Sequence, residues 1–193
     1  MQLPEIIGLA GTNGAGKDTL GDLRLERQAA RKVSLSDILR IEATKRGLSH
    51  ERENLRAIST EWGREMGAGA LALMTLMNFQ ETRSDEETGI SIVSVRRPAE
   101  AREIQEANGL VFWIDGDREA RYERIRNASR GRVDDLVTYE EFCAQEDAEM
   151  YPDSDDPFVV NMSGVRDVAD IHIQNTFPSE PVYRAHLVDA FEL

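Results

Sequence analysis

The sequence has very little cysteine and a shortage of positive charge. Its single cysteine, Cys143, excludes an internal disulfide and a zinc site built from several cysteines. The formal net charge of −13 disfavours nonspecific binding to nucleic acid or to an anionic membrane. No apolar run is long enough to span a bilayer, and a strand pattern that begins almost at Met1 leaves no room for a secretory signal. We therefore expect a cytoplasmic protein in which any bound polyanion meets a local cluster of positive charge.

Five short apolar runs alternate with helical patterns along the 193 residues. The predicted strands are Glu5–Ala10, Lys32–Ser36, Ile90–Val95, Leu110–Asp115 and Asp170–Asn175. The first, third and fourth are almost continuously apolar, as expected for strands that are covered on both faces. Such alternation favours an α/β protein with a five-stranded, doubly wound parallel sheet and helices on both faces. Ligands of such a sheet bind beyond the carboxyl ends of its strands.

Several helix boundaries can also be predicted. Ser36 is a candidate cap for a helix that ends at Gly47, and Pro98 can open another helix. The segment "TYEE" at Thr138–Glu141 has the reciprocal capping pattern. Between these elements, intervals of three and four residues predict one apolar helical stripe. The stripe consists of Leu55, Ile58, Trp62 and Met66.

A glycine-rich segment, "GTNGAGKDT", follows the first strand. Gly11, Gly16 and Lys17 have the glycine–four residues–glycine–lysine spacing between a strand and a helix. Glycines let backbone N–H groups curl around a phosphate, and the following helix presents its positive end. We interpret the segment as a phosphate cradle, in preference to a glycine turn with an incidental lysine. Its predicted ligand-binding residues are Gly11, Asn13, Gly14, Ala15, Gly16, Lys17, Asp18 and Thr19.

Arginines follow the second and third strands, where an acceptor could bind. Asp37 and Arg40 are three residues apart and therefore share a helical face. Arginine can grip a phosphate with two parallel hydrogen bonds, although an exposed ion pair would explain the same spacing. Arg96 and Arg97 follow the third strand. Two adjacent guanidinium groups are costly to desolvate unless an anion pairs with them. We expect Arg96 to bind that anion and Arg97 to point to solvent.

A further arginine-rich segment suggests a lid. Six arginines lie between Arg118 and Arg132, and the glycine in "SRGR" interrupts the helical pattern. Arginines on a closing segment can stabilise a transferring phosphoryl group and exclude water. We favour this role for Arg130 and Arg132. Arg118 and Arg126 fit better on an exposed helix laced with salt bridges.

Taken together, "GTNGAGKDT", "SDILR" and "SVRRPAEA" resemble the phosphate loop, acceptor helix and third-strand arginine of nucleoside monophosphate kinases, which are P-loop NTPases. The chain most resembles the archaeal-type adenylate-kinase-related proteins, which also have counterparts of "RGRVDDLVTYEEFCAQEDAEM" and "ADIHIQN". It is similar as well to phage-type deoxynucleotide monophosphate kinases and to dephospho-CoA kinases. The resemblance extends roughly from Ile6 to Asn175.

The resemblance implies a single P-loop kinase-like domain over residues 1–193, with an acceptor-binding helical segment at about 37–80 and a small helical lid at about 118–150. Its activity would be ATP-dependent transfer of a phosphoryl group to a nucleoside or deoxynucleoside monophosphate, with Mg²⁺ and without nucleic acid or membrane partners. The implied catalytic residues are Lys17, Arg96, Arg130 and Arg132. Donor binding falls to the phosphate loop and to Asn175 near the donor base, and acceptor binding to Asp37, Arg40 and Arg96.

One departure from that family affects the metal. The kinases carry an aspartate two residues before the third-strand arginine, where this chain has Ser94. Magnesium normally requires a nearby carboxylate, which Asp18, acting through a water, or Asp115 could supply. Two alternatives stay open: a dephospho-CoA kinase, which is similar in fold and has an alcohol as its acceptor, and a nucleotide-binding regulatory protein with weak catalysis, which Ser94 favours.

Overall fold

A single parallel sheet forms the centre of the computed structural model, which describes residues 1–127 and 137–193. The strands are β1 (Ile6–Gly11), β2 (Arg31–Ser34), β3 (Ile90–Val93), β4 (Leu110–Asp115) and β5 (Ile171–Gln174). Their order across the sheet is β2-β3-β1-β4-β5, and all four pairings are parallel. All five predicted strands are therefore confirmed, with β1 at the centre.

Helices separate the strands along the chain. They are α1 (Lys17–Gln28), α2 (Leu35–Lys45), α3 (Arg52–Met66), α4 (Ala70–Thr82), α5 (Pro98–Glu106), α6 (Arg118–Asn127), α7 (Tyr139–Met150), α8 (Met162–Val168) and α9 (Glu180–Phe191). Within residues 1–127 and 137–193, none of them has the length and apolarity needed to cross a membrane.

The central strand places alternate side chains in two separate cores. Ile7 and Leu9 pack with residues of α1 and α9 on one face of the sheet. Ile6 and Ala10 pack with residues of α2, α3, α4, α5 and α8 on the other face. Because successive strand residues point to opposite faces, the almost continuous apolar character of β1 follows from burial on both sides. The predicted doubly wound α/β sheet is confirmed.

The observed helix ends agree in part with those predicted. Thr138 and Glu141 form the expected capping box, with the Thr138 N–H donating to Glu141 Oε2 at 2.8 Å. The prediction for Ser36 is wrong: β2 ends two residues earlier than expected, so Ser34 is the cap residue of α2. Met66 is the last residue of α3, and because the helix stops there the side chain is exposed.

One buried arginine fastens the amino-terminal edge of the sheet. Arg24 in α1 is 2% exposed and donates from Nη1 to the carbonyl of Ile90 at 3.1 Å and from Nη2 to that of Pro4 at 2.8 Å. Burial lowers the pKa of its guanidinium group to about 10, so the group stays charged at neutral pH. These bonds tie α1 to the segments that lead into β1 and β3.

We predict that Arg24→Leu lowers the free energy of unfolding by about 3 kcal/mol, because the substitution leaves buried carbonyl oxygens without donors. Urea denaturation measures the loss. Arg27→Leu, on the exposed side of the same helix, should change stability by about 0.5 kcal/mol or less. Equal effects of the two substitutions would contradict the structural role given to Arg24.

Candidate active site

The loop between β1 and α1 has no space for side chains at two of its glycines. Gly11 has a φ of 142°, and a Cβ there would lie 1.9 Å from the carbonyl oxygen of Ile114 in β4. Gly16 has a φ of 90° and precedes the first residue of α1, Lys17. The segment therefore turns sharply into a helix N-terminus, whose first N–H groups have no partner within the helix. This is a geometry that suits an anion.

Two polar side chains support the loop from the carboxyl ends of neighbouring strands. Asn175, just after β5, is buried and donates from Nδ2 to the carbonyl of Ala15 at 2.8 Å. Thr12 donates from its hydroxyl to Oδ1 of Asp115 at 2.6 Å. Asn175, implied by the resemblance to lie near a donor base, thus contacts the backbone of the loop itself.

A buried arginine connects the loop with two helices. Arg121 of α6 donates to the carbonyls of Asn13, at 3.0 Å, and Gly116, at 2.9 Å. It also pairs through both terminal nitrogens with Glu146 of α7, and both side chains are buried. Sequence reasoning missed this role, although Arg121 lies four residues before the core residue Ile125 and so shares its helical face.

Buried polar groups beside the loop lack partners among the residues that the structure describes. These are Nη1 of Arg124 and the hydroxyl of Tyr183. Burial raises the pKa of the Tyr183 hydroxyl, against a smaller opposing effect of Arg124. Both side chains line the same pocket as Lys17, Thr19 and Asn175. Since buried polar groups are normally satisfied, the pocket suits a polar, anionic ligand such as the phosphates and sugar of a nucleotide.

Few side chains in this pocket are suited to bind a magnesium ion. In the described parts of the chain, no three side chains from His, Cys, Asp or Glu form a metal-binding group. Asp115 already accepts from Thr12 and from the Gly116 N–H at 2.7 Å. Asp18 lines the pocket with Thr19 and pairs with Lys32 at 3.4 Å. An ion held here would use the Thr19 hydroxyl, with Asp18 through a water, and would take its other ligands from bound phosphates and water.

A second pocket lies beside the predicted acceptor residues. Arg40, Ser94 and Arg96 line it together, and it encloses a volume of about 100 Å³. Asp37 pairs with Arg40 but is 62% exposed, in keeping with the exposed ion pair weighed as an alternative. The predicted acceptor segment corresponds to α2, α3 and α4, and the two arginines are brought together from separate elements.

Three arginines converge on one carboxylate in this pocket. Glu149 of α7 accepts from Arg52 at 3.1 Å and Arg56 at 2.9 Å through Oε1, and from Arg96 at 3.0 Å through Oε2. Burial alone would raise the pKa of Glu149, but the arginines outweigh it and lower the pKa to about 2. We call Arg52, Arg56 and Arg96 the arginine cluster.

Sequence reasoning missed two members of the cluster and its carboxylate. Arg52 and Arg56 lie four residues apart at the start of α3, so they present like charges on one helical face. That spacing within the predicted acceptor segment was the available signal. Glu149 carried no comparable signal, since its neighbours in α7 are also acidic.

The prediction that Arg97 points to solvent is wrong. Its side chain is 3% exposed and lies near the carboxylate of Glu100, which accepts from the backbone N–H groups of Arg96, at 2.8 Å, and Arg97, at 3.1 Å. Burial lowers the pKa of Arg97 and raises that of Glu100, while each charge opposes the shift of the other. Helix α5 begins at Pro98, directly after Arg97, and the guanidinium group of Arg97 lies inward against Gly63.

The predicted lid is only partly described. Arg130 and Arg132 lie outside the described residues. Arg118 and Arg126 form ion pairs, with Asp147 at 2.7 Å and with Glu123 at 3.6 Å, which agrees with the exposed, salt-bridged helix expected for them. The remaining lid segment consists of α6 and α7.

Archaeal relatives cover most of the chain. UPF0200 protein PH1008 of Pyrococcus horikoshii is 32% identical over 150 residues, which are 75% of this chain and 78% of that protein. The chain belongs to the UPF0200 family. UPF0200 protein MJ1399 of Methanocaldococcus jannaschii is 30% identical over 142 residues, which are 73% of this chain and 70% of that protein. A scan against protein-family models gave no match.

Solved structures resemble this UPF0200 protein over almost its whole length. TT1252 from Thermus thermophilus has a TM-score of 0.58 at 16% identity and covers 100% of this chain and 99% of its own. Shikimate kinase from Bacteroides thetaiotaomicron has a TM-score of 0.54 at 15% identity and covers 97% of this chain and 98% of its own. With the parallel sheet, these likenesses confirm an α/β P-loop NTPase fold, which the chain shares with shikimate kinase.

We predict that Glu146→Gln destabilises this UPF0200 protein by about 3 kcal/mol, because it removes the buried carboxylate that pairs with both terminal nitrogens of Arg121. The other carboxylate near Arg121, that of Asp115, lies 3.5 Å from Nε. Asp147→Asn is a matched control, since its pair with Arg118 is exposed and should contribute about 0.5 kcal/mol or less. Thermal and urea unfolding measure both. A Glu146→Gln protein as stable as the control would show that the Arg121 pair does not hold α6 and α7 together.

Proposed function

We propose that this UPF0200 protein is an ATP-dependent kinase that transfers a phosphoryl group to a nucleoside or deoxynucleoside monophosphate. The proposal adds an activity to the fold that the chain shares with shikimate kinase. It follows the resemblance to adenylate-kinase-related proteins. The names of the UPF0200 relatives give no substrate, so support comes from the geometry of the site.

The observation that carries the proposal is the shared wall of two pockets. One is a third pocket, lined by Lys17 with Gly11 and Thr12 of the phosphate loop, and the other is the pocket lined by Arg40 and Ser94. Both pockets are also lined by Asn13, Arg52, Arg96 and Glu149. Lys17 also lines the pocket beside Thr19 and Tyr183. A donor phosphate at Lys17 and an acceptor phosphate at Arg96 would therefore meet at this wall. In-line transfer requires that arrangement.

Transfer at this wall would need little covalent chemistry from the protein. An oxygen of the acceptor phosphate attacks the γ-phosphorus, the bond to the β-phosphate oxygen breaks, and ADP and a nucleoside diphosphate result. Catalysis then consists of positioning and of neutralising charge on the moving phosphoryl group. We assign the donor phosphates to Lys17 and Thr19, the acceptor to Arg40 and Arg96, and charge neutralisation during transfer to Arg130 and Arg132. Magnesium, held by Thr19 and through a water by Asp18, would supply positive charge that neutralises the donor phosphates.

One observation favours a second candidate, a nucleotide-binding regulatory protein with weak catalysis. Ser94 stands where the related kinases carry an aspartate, and the carboxylate of Asp115 is engaged by Thr12 and Gly116. The acceptor could also be an alcohol, as in dephospho-CoA kinases. The experiments below separate these three activities.

We predict that the protein binds Mg·ATP and that Lys17→Ala weakens the affinity at least about tenfold, since a charged hydrogen bond to phosphate is lost. Isothermal titration calorimetry measures both affinities. Lys45→Ala removes an exposed lysine and should leave the affinity unchanged. The phosphate cradle would be contradicted if the unsubstituted protein gave no binding heat, or if the two variants had equal affinities for Mg·ATP.

We predict turnover with at least one nucleoside monophosphate in a coupled assay, and a drop of about a hundredfold in kcat/KM for Arg96→Ala. Arg102→Ala, on the exposed side of α5, should match the unsubstituted protein. Transfer to dephospho-CoA alone would overturn the acceptor assignment. Tight ATP binding without turnover on any acceptor would favour the regulatory candidate.

A further inference from the structure

The arginine cluster already holds an anion supplied by the chain itself. Glu149 accepts one hydrogen bond from each of the three guanidinium groups with its two carboxylate oxygens, at 2.9–3.1 Å. Its side chain is 12% exposed, so it lies at the bottom of the pocket rather than on the surface. A carboxylate with three arginines around it occupies the same kind of donor set that a bound phosphate would use.

The placement of these three arginines lowers the stability of the folded protein. Arg52 and Arg56 lie four residues apart on α3, and like charges at that spacing destabilise a helix. Arg96 adds a third positive charge from the turn after β3. One carboxylate here faces three guanidinium groups, and a phosphate dianion carries one more negative charge than that carboxylate.

The position of Glu149 also matters. It lines both pockets, together with Asn13, Arg52 and Arg96. An acceptor phosphate that binds where the two pockets meet would compete for the nitrogens that face Glu149, which are Nη1 of Arg52, Nη2 of Arg56 and Nη1 of Arg96. The carboxylate cannot stay on the same donor groups while a phosphate takes them.

We propose that Glu149 is a resident competitor of the acceptor phosphate, which binds the arginine cluster by displacing the Glu149 carboxylate. This inference rests on the proposed function for its choice of acceptor, and it assigns Arg52 and Arg56 to acceptor binding. It also restricts the acceptor class: a ligand that places an uncharged group in the cluster cannot displace the carboxylate.

Inorganic phosphate is the probe, and calorimetric titration of the full chain measures its affinity. All proteins carry Lys17→Ala, which disables the phosphate loop as a second anion site. Glu149→Gln should tighten phosphate binding about tenfold, because the competing charge is gone. Adding Arg56→Ala to the Lys17→Ala protein should weaken it. Glu140→Gln, the same charge change at an exposed site on α7, should have no effect.

Glu149→Asp separates displacement from simple charge repulsion. Aspartate keeps the charge but is one methylene shorter, so it holds the arginines less well. Tighter phosphate binding by Glu149→Asp supports displacement, and unchanged binding overturns it. Phosphate affinity that is unchanged or reduced in Glu149→Gln would also overturn the proposal and leave Glu149 as a structural counter-ion. If Glu149→Gln fails to fold, the Glu149→Asp result decides. No turnover is required, so failure of the kinase assay leaves this test intact.

Discussion

The close packing of the phosphate loop against its neighbours is the constraint on which the rest of the site depends. At Gly11 the backbone lies so near the carbonyl of Ile114 that any side chain would collide with β4. The loop therefore follows the carboxyl edge of the sheet, and α1 begins at Lys17 with its amino end facing the pockets. Asn175 and Arg121 then hold the carbonyls of the loop, at Ala15 and Asn13, from two other elements.

An acidic protein concentrates arginine at this edge by giving the arginines internal carboxylate partners. Glu146 forms an ion pair with Arg121, and Glu149 forms ion pairs with the arginine cluster. Glu100 lies beside Arg97. The net charge of −13 thus coexists with a strongly basic site. An isolated guanidinium group would be too costly to bury. The neighbouring carboxylates stabilise these buried guanidinium groups by pairing with them.

Local features of the sequence were sufficient to predict the sheet and the phosphate loop. Apolar runs mark strands that are buried on both faces. The glycine–lysine spacing reflects a backbone conformation that is set within nine consecutive residues. The pairings of Glu149 could not be predicted in the same way, because its partners lie 53, 93 and 97 residues away along the chain. The burial of Arg97 likewise depends on the packing of Gly63 against it, which no local pattern reveals.

Helix α7 carries two attachments on a single face. Glu146 is bound to Arg121 and, through it, to the phosphate loop, whereas Glu149 lies one turn later in the arginine cluster. Residues three apart move together in a rigid helix. A shift of α7 that moves Glu149 would therefore also move Glu146, and with it Arg121 and the loop. If binding in one pocket shifts this helix, linkage requires each ligand to change the affinity of the other by the same factor. That coupling would run through the single turn between Glu146 and Glu149.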